Sequence, residues 1–292
     1  MSGDTRVATF VGRFIFYGRG VAQFGQRATF GTWRSWVQIP APRPGDAPDQ
    51  FMRYIIISDI HGNMEAFESV IESFSGFDEE EILCAGDIVG YGADPEECVD
   101  RVISIGARSV LGNHDAAVTG KTDIASFNAS AREAVYWTVD RLSRHAKEYL
   151  DGLPFVFENG LFTVVHGTLH EPEEFIYMMS GAEAMRTFEI LKTQVCFVGH
   201  SHVPGVFTLK NGKMSYSHRM RTRLEESSIY IVNAGSVGQP RDNDNRACYC
   251  VYDTKKKEIE LCRVEYDISG AQNKIIESGL PPVLAERLAY GR

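Results

Sequence analysis

The sequence has no CxxC pair, and its six cysteines (Cys84, Cys98, Cys196, Cys248, Cys250 and Cys262) are scattered, most of them in apolar strand-like runs. This argues against a disulfide framework and reads as small reduced core residues of a cytoplasmic protein. No apolar run is long enough to cross a membrane as a helix. A surplus of positive charge is missing too: 30 Lys and Arg stand against 39 Asp and Glu, a net charge of -9. Unspecific binding of phosphate backbones needs such a surplus, so general nucleic-acid affinity is not expected. A compact anionic substrate stays open if bound cations supply local positive charge. The chain of 292 residues is enough for one large domain or two ordinary ones.

The local absences are sharper. Residues 1–51 contain no Leu, Lys, Glu, His, Asn or Cys, while Arg, Gly and Phe recur. Six Arg against three Asp make this stretch about +3 and the remainder about -12. It has neither a helical nor an alternating period, and QIPAPRPGDAP ends it like an extended linker. We read it as a disordered leader or as upstream sequence translated from an early start, with Met52 as the natural start. An organellar transit peptide and an accessory arm packing through its Phe and Trp are the alternatives; Arg13 interrupts the most apolar part and excludes a secretory signal.

From Met52 the pattern is that of a folded domain, expected to span 52–292. Residues 54–58 read as a buried strand, and NMEAFESVIESF as a helix with Met64, Phe67, Val70, Ile71 and Phe74 on one face. Strand EILCAG, helix DPEECVDRVIS and strand RSVLG follow, an alternation that implies parallel strands. Residues 129–153 give one or two helices, stopped by Gly152 and Pro154. Hairpins are then expected around Asn159-Gly160 and Asn211-Gly212, with further strands at SIYIVNAG, RACYCVYDT and EIELCRVEYD and a helical tail from Ile268. The expected fold is mixed α/β: two facing mixed sheets with helices outside, a four-layer αββα sandwich with a dimetal site at the strand ends.

Potential metal ligands recur at those ends. Asp59 and His61 follow the first strand in SDIHGN, and strand alternation would put both on one face if the strand ran on. Asp87 stands in AGD, Asn113, His114 and Asp115 in LGNHD, His166 in VVHG, and His200 and His202 in VGHSH. In open α/β sheets such junctions form the site, and the glycines allow sharp turns and close approach. Hard oxygens mixed with imidazole nitrogens and no thiolate suit Mn, Fe, Zn, Co or Ni. Seven side chains are too many for one ordinary ion, whereas two ions sharing a bridging carboxylate would use them all.

DxH, GD, GNHD, a single His after a strand and GHSH, in this order, resemble the calcineurin-like metallophosphoesterase superfamily. GDIVGYGADPEECVD and NAGSVGQPRD are similar to its small prokaryotic phosphodiesterase branch, the one related to diadenosine tetraphosphatase. The resemblance covers roughly residues 53–265 and implies that Asp59, His61 and His202 hold one divalent cation, Asn113, His166 and His200 the other, with Asp87 bridging. Manganese is the first choice of metal. It further implies that His114 contacts the phosphoryl oxygen or protonates the leaving group, that Asp115 orients His114, and that a metal-bridging hydroxide attacks phosphorus. The Ser/Thr protein phosphatases of the superfamily carry an Arg soon after GD, where this chain reads GDIVGYG. That departure disfavours a phosphoprotein monoesterase and favours a small diester or nucleotide, with Arg241 in GQPRD as a compensating substrate contact.

Plainer readings hold elsewhere. Asp94 ahead of Pro95 reads as a helix cap, Tyr136 and Trp137 as packing residues, and His145, His170 and His218 as surface residues. A dinucleoside polyphosphate hydrolase, a phosphomonoesterase, a nuclease and a non-enzymatic protein-binding scaffold are the competing functions, and homo-oligomerisation stays open.

Overall fold

The computed structural model describes residues 52–75 and 80–292, so the expected leader, 1–51, lies outside the described residues. One six-stranded sheet contains β1 (Arg53–Ile57), β2 (Glu80–Cys84), β3 (Arg108–Ser109), β9 (Arg221–Arg223), β11 (Ala247–Asp253) and β12 (Glu258–Val264), in the order β3-β2-β1-β11-β12-β9. The other contains β4 (Val156–Glu158), β5 (Phe162–Val165), β6 (Val195–Val198), β7 (Gly205–Lys210), β8 (Lys213–Ser217) and β10 (Ser228–Asn233), in the order β4-β5-β6-β10-β7-β8. Both sheets are mixed. β1, β2 and β3 run parallel, as do β5, β6 and β10, whereas β11, β12 and β9 in the first sheet and β4, β7 and β8 in the second pair antiparallel with their neighbours.

Alternation along the strands sets the layers. In β1, Tyr54 and Ile56 face inward and join Phe162, Val164, Phe197 and Val232 of the second sheet in the central core. Ile55 and Ile57 face outward and pack under α1 (Met64–Phe74), α2 (Pro95–Ser104) and α5 (Arg144–Asp151) through Phe67, Val70, Val99 and Leu150. On the far side Val165, Cys196, Val198 and Ile231 meet Phe188 of α6 (Gly181–Ile190). Fully burying each such side chain stabilises the fold by about 1.5–3 kcal/mol. The expected αββα sandwich is therefore the observed one.

Most expected elements are present, with instructive differences. α4 (Ala129–Val139) and α5 are separate because Ser143 caps the second, its Oγ accepting from Ala146 N at 3.1 Å. At Asn211-Gly212 both residues are left-handed (φ 50° and 72°), as a type I′ turn requires. At Asn159-Gly160 the Asn159 side chain closes the turn instead, its Oδ1 accepting from Leu161 and Phe162 N. Asn113 opens a short helix, α3 (Asn113–Val118), where only a strand end was expected, and α6 had no assignment. The C-terminal tail forms α7 (Ile268–Glu277), α8 (Pro282–Glu286) and a 3-10 turn, Arg287–Tyr290. Among the described residues no helix is long and apolar enough to cross a membrane.

Two packing expectations need correction. Tyr136 is 63% exposed, because it lies on the outer face of α4, opposite buried Ala134 and Val135. Asp94 holds the N-cap position of α2 but makes no capping bond; its carboxylate pairs with Lys274 Nζ at 2.8 Å. Trp137 packs as expected, its Nε1 donating to Ser278 O at 2.9 Å. His145 and His218 are exposed, and His170 is half-buried.

Candidate metal centre

Five loops meet at one edge of the two sheets, following β1, β2, β3, β5 and β6. The loops after β1 and β2 are laced together: Asp59, His61 and Gly62 N donate to Gly86, Asp87 and Ile88 O at 2.9–3.0 Å. β1 ends at Ile57, so strand alternation does not bring Asp59 and His61 together. Both are left-handed instead (φ 54° and 51°), and Asp87, His200 and His202 share that conformation (φ 55°, 65° and 60°). Non-glycine residues adopt it at a cost of roughly 1–3 kcal/mol each, and strain of this kind concentrates at functional sites.

Close backbone approach requires glycine at two points. A Cβ on Gly112 would overlap the Asp87 backbone and carboxylate, and one on Gly199 would overlap Ser58 Oγ and strike Asp59 Oδ2.

The side chains converge as three overlapping groups, Asp59, His61 and His202, then His61, Asp87 and His114, then Asp87, His166 and His200, with donor atoms within 4.8 Å of one another in each. Asp59 Oδ1 lies 3.2 Å from His202 Nε2, and His61 Nε2 lies 3.2 Å from His202 Nε2. In the third group His166 Nε2 lies 3.1 Å from both His200 Nδ1 and Asn113 Oδ1. Asp87 Oδ2 stands between the first group and the third, 3.6 Å from His61 Nε2 and 3.3 Å from His166 Nε2. Its Oδ1 accepts from His114 N at 2.8 Å. All of these side chains are at least nine-tenths buried.

The donor set fits divalent cations. His61, His166 and His202 each donate through Nδ1 to a backbone oxygen, of Val89 (3.0 Å), Ala85 (2.7 Å) and Gln239 (2.6 Å). A carbonyl only accepts, so these bonds keep a proton on Nδ1 and turn each Nε2 towards the centre, as a free lone pair on neutral His61 and His202 and, on His166, once its second proton is displaced. His200 is the exception: Nδ1 faces the centre, while Nε2 is buried without a hydrogen-bond partner beneath Tyr177, which stacks on the ring at 3.6 Å.

Charge is arranged accordingly. Burial opposes ionisation of Asp87, but His166, His114 and His61 outweigh it and hold the carboxyl well below the usual range. Asp59 is likewise lowered, against its burial, chiefly by His202. Burial keeps His61, His200 and His202 below the ordinary histidine value, hence neutral and ready to ligate. On His166 burial is outweighed by Asp87, which lifts it to about 9.

His114 sits beside the cluster with its ring 4.9 Å from His61, 4.4 Å from Tyr91 and 5.0 Å from Phe127. Its Nδ1 is buried and unpartnered, and burial pushes its pKa down to about 4. Asp115 is placed differently from expectation. Its Oδ2 accepts from Asp87 N (2.8 Å) and Gly112 N (3.2 Å), its Oδ1 from Ile88 N (3.0 Å) and Val89 N (3.2 Å), and none of these bonds goes to the His114 ring. It shapes the loop that carries Asp87. Arg241 lies at the edge, Nη2 donating to Gln239 Oε1 at 2.8 Å and Cζ 5.8 Å from the Tyr91 ring centre.

A family model described as the calcineurin-like phosphoesterase superfamily domain matches residues 52–257. The chain belongs to the calcineurin-like phosphoesterase superfamily. It is 38% identical over 243 residues to protein MJ0912 of Methanocaldococcus jannaschii, covering 81% of this chain and 97% of that one. A metallophosphoesterase of Sphaerobacter thermophilus is similar at 38% identity with a TM-score of 0.72, over 83% of this chain and all of its own. A Pyrococcus horikoshii protein, PH1004, shares the fold at 17% identity and a TM-score of 0.68, over 82% and 99% of the two chains.

Membership makes this calcineurin-like domain a metallophosphoesterase relative whose buried clusters suit divalent metal ions. The sequence reading missed Tyr91, Tyr177, Phe127 and Gln239 around the centre. Tyr91 and Gln239 lie inside the GDIVGYG and GQPRD blocks, whereas nothing near Tyr177 carries a pattern.

Proposed function

We propose that this protein is a dimetal phosphodiesterase of small phosphodiesters or nucleotides. The observation that carries the reading is Asp87 Oδ2, set between two buried ligand groups. Asp59, His61 and His202 would hold one cation, Asn113, His166 and His200 the other, and Asp87 would touch both. Held there, two divalent ions, manganese first, supply Lewis acidity towards a phosphoryl oxygen and bring the pKa of water towards neutrality.

The chain's own groups do the rest. Asp115 and the His114 amide fix the two sides of the Asp87 loop, so its carboxylate is oriented before substrate arrives. The neutral His114 ring, edge-on to His61 and tilted against Tyr91 and Phe127, presents an imidazole nitrogen for a hydrogen bond to the phosphoryl or leaving oxygen. Tyr91, where the protein phosphatases of the family have an Arg nearby, fills the space beside His61 and His114, and Arg241 reaches the same loop. One fixed guanidinium fewer next to the metals supports a diester over a doubly charged monoester. The free cysteines, five of them buried, accord with a cytoplasmic setting.

The test is metal analysis followed by turnover of bis(p-nitrophenyl) phosphate with added manganese. The parent should bind metal and hydrolyse the diester, and Asp87→Ala should lose both. Hydrolysis of monoesters but not of the diester would contradict the reading.

A further inference from the structure

Three of the four histidines that would ligate are oriented by hydrogen bonds in the plane of the ring, since His61, His166 and His202 each donate through Nδ1 to a backbone carbonyl. His200 has no such bond. Its Nδ1 faces the centre, 3.1 Å from His166 Nε2, and its Nε2 is buried with no hydrogen-bond partner among the described residues. The His200 backbone is fixed, its N–H donating to Asp59 Oδ1 and Oδ2 at 3.2 and 3.0 Å. That sets the start of the side chain but not its two torsions, and a ligand ring needs both set.

What lies on the ring is Tyr177. The two rings are nearly parallel, 22° apart in plane with centroids at 3.6 Å, so the phenol covers one face of the imidazole. Tyr177 belongs to a stretch without helix or strand, between the 3-10 turn Pro172–Glu174 and α6, and is itself 46% exposed. Its neighbours seat it. Phe175 is buried against Leu111 and Ala116 and stands edge-on to His166, with ring centroids 6.0 Å apart. Met178 is buried with Val165 and Val198. Gly167, next to His166, permits the close approach of this stretch, because a Cβ there would come within 2.8 Å of Ile176 O. Tyr177 is thus held over His200 by buried anchors on either side of it.

We propose that Tyr177 is a positioning residue for metal binding. Its stack takes the place of the missing in-plane hydrogen bond and keeps His200 Nδ1 turned to the cation that His200 would share with Asn113 and His166. The proposal rests on the reading of the centre as a two-cation site, and it assigns to the stretch from Phe175 to Met178 the retention of one ion of the two.

Calorimetric titration of the chelator-treated full chain with manganese tests this. The parent should take up two ions. In Tyr177→Ala one ion should bind about 10–100-fold more weakly, the usual loss when a partner that orients a ligand is removed, while the other keeps its affinity. Tyr177→Phe, which keeps the ring and drops the hydroxyl, should match the parent. Because both anchors remain, the Tm of chelated Tyr177→Ala should stay within about 3 °C of the parent. If it falls further, Tyr177→Leu, which keeps apolar bulk without a planar face, carries the same comparison. At limiting manganese, anomalous scattering from Tyr177→Ala crystals should show the peak beside His166 and His200 depleted and the one beside Asp59, His61 and His202 retained. Two unchanged affinities in Tyr177→Ala, equal weakening of both ions, or a loss in Tyr177→Phe as large as in Tyr177→Ala overturns the role of the stack alone. Uptake of fewer than two ions by the parent strikes the two-cation reading, and the role of Tyr177 with it.

Discussion

The backbone N–H of His114 donates to Asp87 Oδ1 at 2.8 Å, so one loop holds a carboxylate whose other oxygen serves the ligand cluster. Asp87 is therefore pinned from the β3 loop at its side chain and by Asp115 at its own amide.

His114→Ala removes a ring but leaves the His114 amide and every proposed ligand in place. Metal content should be retained while diester turnover falls by roughly 10²–10⁴-fold, the range for a positioned acid or hydrogen-bond donor. Paired metal analysis and steady-state kinetics check this. Near-normal turnover would remove His114 from the chemistry.

Asp115→Ala strips the acceptor from four buried backbone N–H groups, those of Asp87, Ile88, Val89 and Gly112. Unfolding free energy should drop by roughly 3–5 kcal/mol, and metal retention should weaken with it. Denaturant titration of parent and variant reads the first, and metal content after dialysis the second. If only kcat fell while stability held, Asp115 would be acting on the reaction instead of on the loop.

The pH dependence of the chelated protein follows from His166, whose folded pKa of about 9 stands above the ordinary value of about 6.5. The stabilisation it contributes is fully present below about pH 6.5 and is lost as pH rises through about 9. In EDTA-treated protein the Tm advantage of the parent over His166→Gln should accordingly shrink between pH 6.5 and 9. Metal uptake must displace the same proton, so affinity for manganese should climb over that window. A Tm difference that grows with pH would reverse the sign and refute the pairing with Asp87.

Much of this cluster was legible in the sequence because its converging side chains sit at strand ends, where a short apolar run followed by Gly and a donor residue marks the junction. SDIHGN, AGD, LGNHD, VVHG and VGHSH each told where a strand stopped and what it presented. How these side chains turn inward was not legible: alternation suggested a continued strand, whereas Asp59 and His61 turn inward through left-handed backbone held by tertiary hydrogen bonds that no local pattern encodes. The role of Asp115 was misread for a related reason. Adjacency to His114 implied a partner, but on α3 its side chain reaches back over the helix start to a loop 26–28 residues earlier. Tyr177 comes from a segment with no motif, and only folding brings it to the site.

Anomalous scattering from manganese-loaded crystals would locate the pair of cations proposed astride Asp87. Two peaks roughly 3.5–4 Å apart are expected, both within bonding distance of the Asp87 carboxylate, one reached by Asp59, His61 and His202 and the other by Asn113, His166 and His200. A single peak, or peaks away from Asp87, would contradict the account.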